Sequence, residues 1–250
     1  MPSIATLERI EFDTPVTVLV GENGTGKSTF LEALAIAAEL PAVGSARPGA
    51  DPTLEPQRRL ARRLRLTWRG RTRRGFFLRA EDFFGFQKQL AVQRAEHEAE
   101  LARIDVELAG ASDWARGLAR GPHRASLGEM EKRYGTNPDA RSHGEAFLNL
   151  FRQRLAPAGL YLLDEPEAAL SPQSQLAFLA MLREAVDAGS QVVVATHSPL
   201  LMAVPGAKIL SFDDPPVRPA GFDELESVAL VRDFLQAPER YLRIIWKAVP

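Results

Sequence analysis

A short segment near the start of the chain carries residues suited to binding phosphate. It reads Gly21, Glu22, Asn23, Gly24, Thr25, Gly26, Lys27 and Ser28, which is the spacing G-x-x-x-x-G-K-S. In such a segment, glycines let successive backbone N–H groups turn inward around phosphate oxygens. Lys27 is expected to reach the β- and γ-phosphates, and the Ser28 hydroxyl is expected to bind Mg²⁺. The segment therefore predicts a site for a nucleoside triphosphate.

The residues on both sides of this loop have the patterns that a phosphate-binding loop needs. Pro15–Val20 is an apolar run typical of a strand, and the residues from Thr29 to about Leu40 are typical of a helix. A helix that begins here points the positive end of its dipole at the bound anion. We therefore predict that the nucleotide contacts run from Gly21 to Thr29.

Two carboxylates follow a second apolar run. Gly159–Leu163 reads as a buried parallel strand, and Asp164 and Glu165 come at its end. Ligands of open α/β sheets bind beyond the carboxyl ends of the strands. We therefore predict that Asp164 holds Mg²⁺, directly or through water, and that Glu165 orients or deprotonates the attacking water.

Two further groups of residues could contact phosphate. Gln191–Thr196 reads as the next buried strand and delivers His197 to the same edge of the sheet, where we predict a γ-phosphate contact. Ser142 and Gly144 precede a helix predicted over 146–155, and the positive end of a helix is a place for phosphate. These two residues also fit an ordinary helix cap, so both interpretations stay open.

The remaining elements must position these groups. We predict one or two strands over 4–12, a long surface loop over 41–52, a helix over 86–108, irregular structure over 117–137, a strand over 208–212, and helices near 224–235 and 238–246. Together they indicate an α/β P-loop NTPase with a mixed, largely parallel sheet flanked by helices, plus a small antiparallel β-hairpin and a helical insertion. We expect one domain over 1–250, with a core of 1–40 and 140–215, an inserted region of about 54–125 and C-terminal helices over about 222–247.

The segment between Gln57 and Ala80 contains ten arginines and no acidic residue. Leu64–Arg69 and Phe76–Arg79 read as two strands joined by a turn, which predicts a basic β-hairpin. Arginine suits phosphate oxygens, so the stretch Arg58–Arg79 is a hypothetical interface for DNA or another nucleic acid. The alternative is a solvated hairpin whose charges protect an edge strand and pair with acids elsewhere.

The composition is that of an ordinary soluble protein, with 45% hydrophobic residues, 25% charged residues and a formal net charge of −1. This charge gives no general affinity for polyanions. Cysteine is absent, which excludes disulfides and zinc–thiolate sites and agrees with a cytoplasmic location. No apolar run approaches the length of a bilayer span, so we expect no direct membrane insertion.

In their order and spacing, these motifs resemble those of the ATP-binding-cassette (ABC) ATPase superfamily, above all the small soluble ATPases of its recombination-repair and chromosome-maintenance branch. The matching segments are Gly21–Ser28 for Walker A, Leu160–Glu165 for Walker B, Ala169–Ser171 for the D-loop, His197 for the switch histidine and Arg141–Glu145 for the signature motif. The resemblance implies ATP and Mg²⁺ as cofactors. It also implies that Lys27, Glu165 and His197 are the catalytic residues.

The resemblance further implies an ATP-dependent homodimer. In the family each ATP lies between the P-loop of one subunit and the signature motif of the other, here Ser142 and Gly144, and hydrolysis opens the dimer. The chain departs from the family in two places. His143 stands where a second glycine is usual, and the Q-loop glutamine could correspond to Glu81, Gln87 or Gln89, which leaves it unassigned.

Three hypotheses concern the purpose of the ATP cycle. The arginine-rich segment favours an enzyme acting on nucleic acid in repair or defence. A second hypothesis is the energy subunit of a membrane transporter, which predicts a groove for a coupling helix in the Leu54–Leu118 region. A third is an ATP-gated switch that hydrolyses slowly and signals through its dimer state.

Overall fold

A six-stranded sheet forms the centre of the molecule, which we describe from a computed structural model over residues 1–43, 49, 54–134 and 143–246. The strands are β1 Val16–Val20, β2 Gly75–Arg79, β3 Leu160–Asp164, β4 Gln191–Ala195, β5 Lys208–Ser211 and β6 Arg218–Pro219. Their spatial order is β2-β3-β4-β1-β5-β6, with β1 to β5 parallel and β6 antiparallel to β5. The predicted mixed, largely parallel sheet is therefore confirmed.

Helices cover both faces of this sheet. Within the described residues they are α1 Pro2–Ala5, α2 Lys27–Ala37, α3 Glu55–Ala61, α4 Ala80–Glu107, α5 Asp113–Tyr134, α6 His143–Arg154, α7 Pro172–Asp187, α8 Pro199–Met202, α9 Glu226–Gln236 and α10 Pro238–Trp246. Helices α9 and α10 confirm the two predicted C-terminal helices, and β5 confirms the late strand.

The sheet separates two hydrophobic cores because successive residues of a strand face opposite sides. Val16, Val18 and Val20 of β1 belong to the core beneath α6 and α7, whereas Leu19 belongs to the core beneath α2. Each fully buried side chain of this size contributes about 1.5–3 kcal/mol. Packing on both faces therefore holds β1, and with it the loop that follows β1, in a fixed position.

The predicted antiparallel β-hairpin is wrong. Its second arm is β2, which pairs in parallel with β3 inside the central sheet and places Arg79 beside Asp164. Residues 64–69, the predicted first arm, form no strand. Phe76–Leu78 are buried, as expected of a strand that is covered on both faces. The continuous apolar run of these three residues is therefore typical of a strand inside the sheet. The arginines on both sides of the run made this pattern hard to recognise in the sequence.

The irregular structure predicted over 117–137 is also wrong as far as residue 134. Helix α5 has 22 residues despite Pro122 in its interior, and it packs along α4, which has 28 residues. Arg120 pairs with Asp105 at 3.1 Å across the two helices. Packing against a neighbour is what stabilises most helices in proteins, and α4 supplies it here. The two helices form a long helical hairpin, about 40 Å in length at 1.5 Å per residue.

The N-terminal segment also differs from its prediction. Residues 4–12 contain the end of α1 and then irregular backbone, and they form no strand. Their apolar side chains pack against the core beneath α2, which explains the spacing that suggested a strand. The Ser3 hydroxyl donates a hydrogen bond of 2.7 Å to the Phe212 carbonyl. The surface loop predicted over 41–52 lies largely outside the described residues, although Ala42 forms a parallel bridge with Phe77 of β2.

Candidate functional site

The loop between β1 and α2 has the backbone of a phosphate cradle. Gly24 and Gly26 have φ angles of 83° and 109°, in the region that side chains rarely adopt. A Cβ added to Gly26 would also lie 2.8 Å from Cδ1 of Ile4. Glycine is therefore favoured there by its conformation, and a Cβ would also force the end of the Ile4 side chain to shift. Helix α2 begins at Lys27, so its free N–H groups and the positive end of its dipole point at the loop.

Lys27 is buried at the mouth of this loop. Its side chain folds back, so that Nζ donates hydrogen bonds to the carbonyls of Gly21 at 2.6 Å and Glu22 at 2.9 Å. Burial lowers the pKa of Lys27, although the nearby carboxylates, with Glu165 first among them, oppose this change. The ammonium group is thus held by two neutral carbonyl oxygens. A bound anion could replace these contacts and neutralise the charge of Lys27.

Ser28 and Asp164 bring two oxygen ligands together. The Ser28 hydroxyl donates a hydrogen bond of 3.1 Å to Oδ1 of Asp164. Burial raises the pKa of Asp164 to about 7, against the lowering effect of the Ser28 bond, and the charge of Glu165 raises it further. A hydroxyl and a carboxylate are ligands that Mg²⁺ prefers, and a divalent cation would favour the ionised carboxylate. The residues present therefore fit Mg²⁺.

Glu165 and His197 form the next pair along the sheet edge. Nε2 of His197 lies 3.7 Å from Oε1 of Glu165, and the side chains are 39% and 45% exposed. Both can therefore reach a ligand outside the protein surface. Glu165 has φ 48° and ψ 49°, a left-handed conformation that costs about 1–2 kcal/mol for a residue with a side chain. Such backbone strain is concentrated at functional sites.

The sheet register explains why these groups converge. Asp164 at the end of β3 lies beside Ala195 at the end of β4, and Ala195 lies beside Leu19 of β1. The carboxyl ends of the three parallel strands therefore meet at one edge. The loop after β1, the two acids after β3 and the histidine after β4 all occupy that edge, where ligands of open α/β sheets bind.

Two acidic residues at this edge were missed from the sequence. Oδ1 of Asp213 accepts a hydrogen bond of 2.6 Å from the Glu22 backbone N–H, and Oε1 of Glu167 accepts one of 2.6 Å from the His197 backbone N–H. The second carboxylate oxygen of Glu167 is buried without a hydrogen bond in the described part of the chain. Only their positions in the sequence could have indicated these residues. Asp213 follows β5 closely, and Glu167 follows Glu165 by two residues.

Of the two predicted signature residues, the structure describes only Gly144. Ser142 lies outside the described residues, so its contacts stay a prediction. Gly144 is buried in α6, where an added Cβ would lie 3.0 Å from Oγ of Ser174 and 3.5 Å from the Ala169 carbonyl oxygen. Gly144 thus packs beside the segment that resembles a D-loop, within its own chain. That position is compatible with a role towards a second copy, which stays a prediction.

The Q-loop candidates lie on α4. Glu81 is exposed in the first turn of this helix, and Gln87 and Gln89 lie about two turns further along. Strand β2 ends beside Asp164, and α4 begins at the next residue. The first turn of α4 is therefore the part of this helix nearest to the sheet edge that carries Asp164. Glu81 therefore lies nearer to that edge along the helix than the two glutamines do, and the Q-loop assignment stays a prediction.

The arginine-rich segment is distributed over α3, irregular backbone and β2. Arg79 is half-buried and paired with acids, whereas Arg71 forms an exposed pair with Glu39 at 3.2 Å. The arginines that are exposed are Arg59, Arg62, Arg63, Arg65, Arg69, Arg71, Arg73 and Arg74. The basic surface predicted from the sequence is therefore present, although no hairpin carries it.

Two protein families match the chain. The family described as "AAA domain, putative AbiEii toxin, Type IV TA system" matches residues 51–203, which is more than half of the chain. A second family, described as "AAA domain", matches residues 3–40. The first match includes the acidic and histidine motifs, and the second includes the phosphate-binding loop.

Curated relatives include two ATP-binding proteins. The "Probable anion import ATP-binding protein" of Haloferax volcanii is 32% identical over 185 residues, which are 73% of this chain and 62% of that protein. The "Hemin import ATP-binding protein HmuV" of Streptomyces coelicolor is 32% identical over 196 residues, which are 75% of this chain and 61% of that protein. The chain thus spans about three fifths of the length of these relatives.

Solved structures with some likeness include a Smc head domain and a protein of an ABC transporter complex. The Smc head domain of Pyrococcus furiosus, bound to the C-terminal domain of ScpA, is 13% identical with a TM-score of 0.38, over 88% of this chain and 93% of that one. The protein cbiO1 of Clostridium perfringens, part of the ABC transporter complex cbiONQ, is 15% identical with a TM-score of 0.41, over 90% and 86%. Likeness at this level says nothing of function. None of the described helices is both long and apolar enough to cross a bilayer.

Proposed function

Because this chain belongs to the family described as an AAA domain, we propose that it binds ATP with Mg²⁺ and hydrolyses the bond to the γ-phosphate. The observation that carries the proposal is the convergence of the phosphate-binding loop, Asp164 and the Glu165–His197 pair at one edge of the sheet. In this proposal residues 1–250 form one ATPase domain, with the α3–α5 region inserted, and act in the cytoplasm.

Each residue of the cluster has a distinct role in this mechanism. Lys27 exchanges its two carbonyl contacts for phosphate oxygens, and the N–H groups of the loop bind the same phosphates. Ser28 and Asp164 hold Mg²⁺, which when bound neutralises charge on the phosphates. Glu165 accepts a hydrogen bond from the attacking water and receives its proton. His197, whose Nε2 lies 3.7 Å from Glu165, donates a hydrogen bond to the γ-phosphate.

Steady-state hydrolysis tests this proposal. Phosphate release from ATP is measured with excess Mg²⁺, with EDTA, and with Mg²⁺ in the Asp164→Ala variant. We expect turnover only in the first condition, since the carboxylate and the cation act together. Equal turnover of the parent protein and the variant in Mg²⁺ would remove Asp164 from the site.

We further propose that two copies enclose two ATP molecules head to tail, with Ser142 and Gly144 of one copy facing the P-loop of the other. The packing of Gly144 beside Ala169 supports this arrangement, because the segments that resemble the signature motif and the D-loop are neighbours within the chain. Light scattering of Glu165→Gln with Mg–ATP tests it, with Ser142→Ala added in a second variant. We expect a dimer for the first and a monomer for the second. A monomer in both would contradict the proposal.

For the purpose of the cycle we propose coupling to nucleic acid in repair or defence, supported by the exposed arginines at and just after the end of α3. ATP hydrolysis is measured with duplex DNA or RNA over a salt series. We expect stimulation that weakens as salt rises, because phosphate contacts release counterions. Replacing Arg59, Arg62 and Arg63 by Gln should abolish stimulation. The matched control replaces three exposed arginines elsewhere, namely Arg103, Arg183 and Arg218.

Two other functions are tested by the same preparation. The names of the curated relatives favour the energy subunit of an importer, and co-purification with a membrane partner that stimulates hydrolysis would support it. Turnover near background together with an intact ATP-dependent dimer would instead favour a slow ATP-gated switch. Stimulation by nucleic acid alone would argue against both.

A further inference from the structure

Arg79, the last residue of β2, connects two helices through buried ion pairs. Its Nη1 donates a hydrogen bond of 2.6 Å to Oε1 of Glu32 in α2. Its Nε and Nη2 donate two bonds, each of 3.0 Å, to the two carboxylate oxygens of Asp82 in α4. The other oxygen of Glu32 accepts a bond of 2.8 Å from Gln57 in α3. One guanidinium thus ties the P-loop helix to the base of the helical hairpin.

This network is shielded from solvent. The side chains of Arg79, Glu32 and Asp82 are 20%, 7% and 14% exposed. Burial opposes the charge of the guanidinium, but the hydrogen bonds and charges of Asp82 and Glu32 outweigh it, so the pKa of Arg79 is raised. Two shielded carboxylates pair with this one guanidinium, and the bidentate contact with Asp82 fixes orientation as well as distance.

The network lies next to the proposed reaction site. Arg79 is the register partner of Asp164, the predicted Mg²⁺ ligand. Glu32 belongs to the same helix as Lys27 and Ser28. Between Arg79 and Asp82 in sequence stands Glu81, the Q-loop candidate in the first turn of α4. The contact that fixes Asp82 therefore also fixes the backbone that carries Glu81.

We propose that Arg79 is a positioning residue that sets the first turn of α4 relative to α2 and thereby couples the nucleotide site to the α4–α5 hairpin. This inference rests on the proposed ATPase function. When a nucleotide binds, it fixes the start of α2. The Glu32–Arg79–Asp82 contacts then transmit this effect to the first turn of α4 and stabilise it. In the other direction, a partner that binds the hairpin shifts Glu81 at the site.

Lysine at this position separates a positioning role from a structural one. Its single ammonium keeps the charge, but it cannot make two parallel bonds to Asp82 while also reaching Glu32. For Arg79→Lys we expect at least a tenfold loss in kcat, with the Kd for a fluorescent ATP analogue within threefold of the parent value and the Tm within a few degrees. Asp82→Asn should lower kcat in the same direction. Arg103→Lys, on an exposed pair of α4, is the matched control and should change neither.

Hydrogen exchange tests the coupling without any turnover. In the parent protein, Mg–ATP should slow amide exchange both in the P-loop and in the first turns of α4. In Arg79→Lys the P-loop protection should persist and the α4 protection should be lost. Protection of α4 that is equal in both proteins, or absent in the parent, would overturn the inference. A parent protein that shows the α4 protection but releases no phosphate would refute the hydrolysis proposal and leave the role of Arg79 standing.

Discussion

Asp164→Asn should stabilise the protein in the absence of metal while abolishing its ATPase activity. The pKa of Asp164 is raised from 3.8 to about 7, chiefly by burial. Because the folded state binds this proton more tightly than the unfolded chain does, the free energy of unfolding falls as pH rises from about 4 to 7. Three pH units correspond to about 4 kcal/mol at 1.36 kcal/mol each. Asparagine mimics the protonated carboxyl, and its side-chain oxygen can still accept the Ser28 hydrogen bond.

Guanidinium unfolding in EDTA measures this effect. At pH 8 we expect the free energy of unfolding of Asp164→Asn to exceed that of the parent protein by about 2–4 kcal/mol. At pH 5 the parent carboxyl is largely protonated in the folded state, so the difference should shrink to less than half. Asp187→Asn is the control, since Asp187 forms an exposed pair with Arg183 and should change stability by about 0.5 kcal/mol or less. A less stable Asp164→Asn at pH 8 would refute the raised pKa of Asp164 and the cost of burying its charge.

Three further predictions concern the reaction. Lys27→Ala should weaken ATP binding more than tenfold in a fluorescence titration, whereas Lys208→Ala, whose partner is Asp13 away from the loop, should leave it unchanged. Glu165→Gln should retain ATP binding and lower kcat at least a hundredfold, the scale of lost general-base catalysis; turnover at the parental rate would exclude Glu165 as the base. His197→Ala should lower kcat at least tenfold with little change in Tm, because the side chain is 39% exposed; an unchanged kcat would remove His197 from the reaction.

The strands that end in functional residues could be predicted from the sequence. In β1, β3 and β4 a short apolar run stops at a motif whose spacing is specific. The apolar run therefore predicts the strand, and the motif predicts where the strand ends. The family matches confirm the prediction of an ATPase domain, described as an AAA domain in both. They do not test the roles of Lys27 or His197, and those roles stay predictions.

The errors come from interactions between segments that are distant in sequence. Strand β2 was taken for a hairpin arm because the arginines beside it dominate the local pattern, whereas its partner β3 lies about eighty residues further along. Helix α5 carries Gly117, Gly121 and Pro122, which lower its intrinsic helix propensity, and its packing on α4 is not visible in local spacing. The same reason hid the Glu32–Arg79–Asp82 contacts, which join three elements.

The identity of the nucleotide that stays bound tests the central claim most directly. The parent protein and Glu165→Gln are incubated with Mg–ATP and freed from unbound nucleotide, and the bound nucleotide is extracted and separated by chromatography. We predict ADP, or little nucleotide, on the parent protein and intact ATP at about one molecule per chain on Glu165→Gln. Equal amounts of ADP on both proteins, or no nucleotide on either, would contradict an ATPase site in which the carboxylate after β3 activates water.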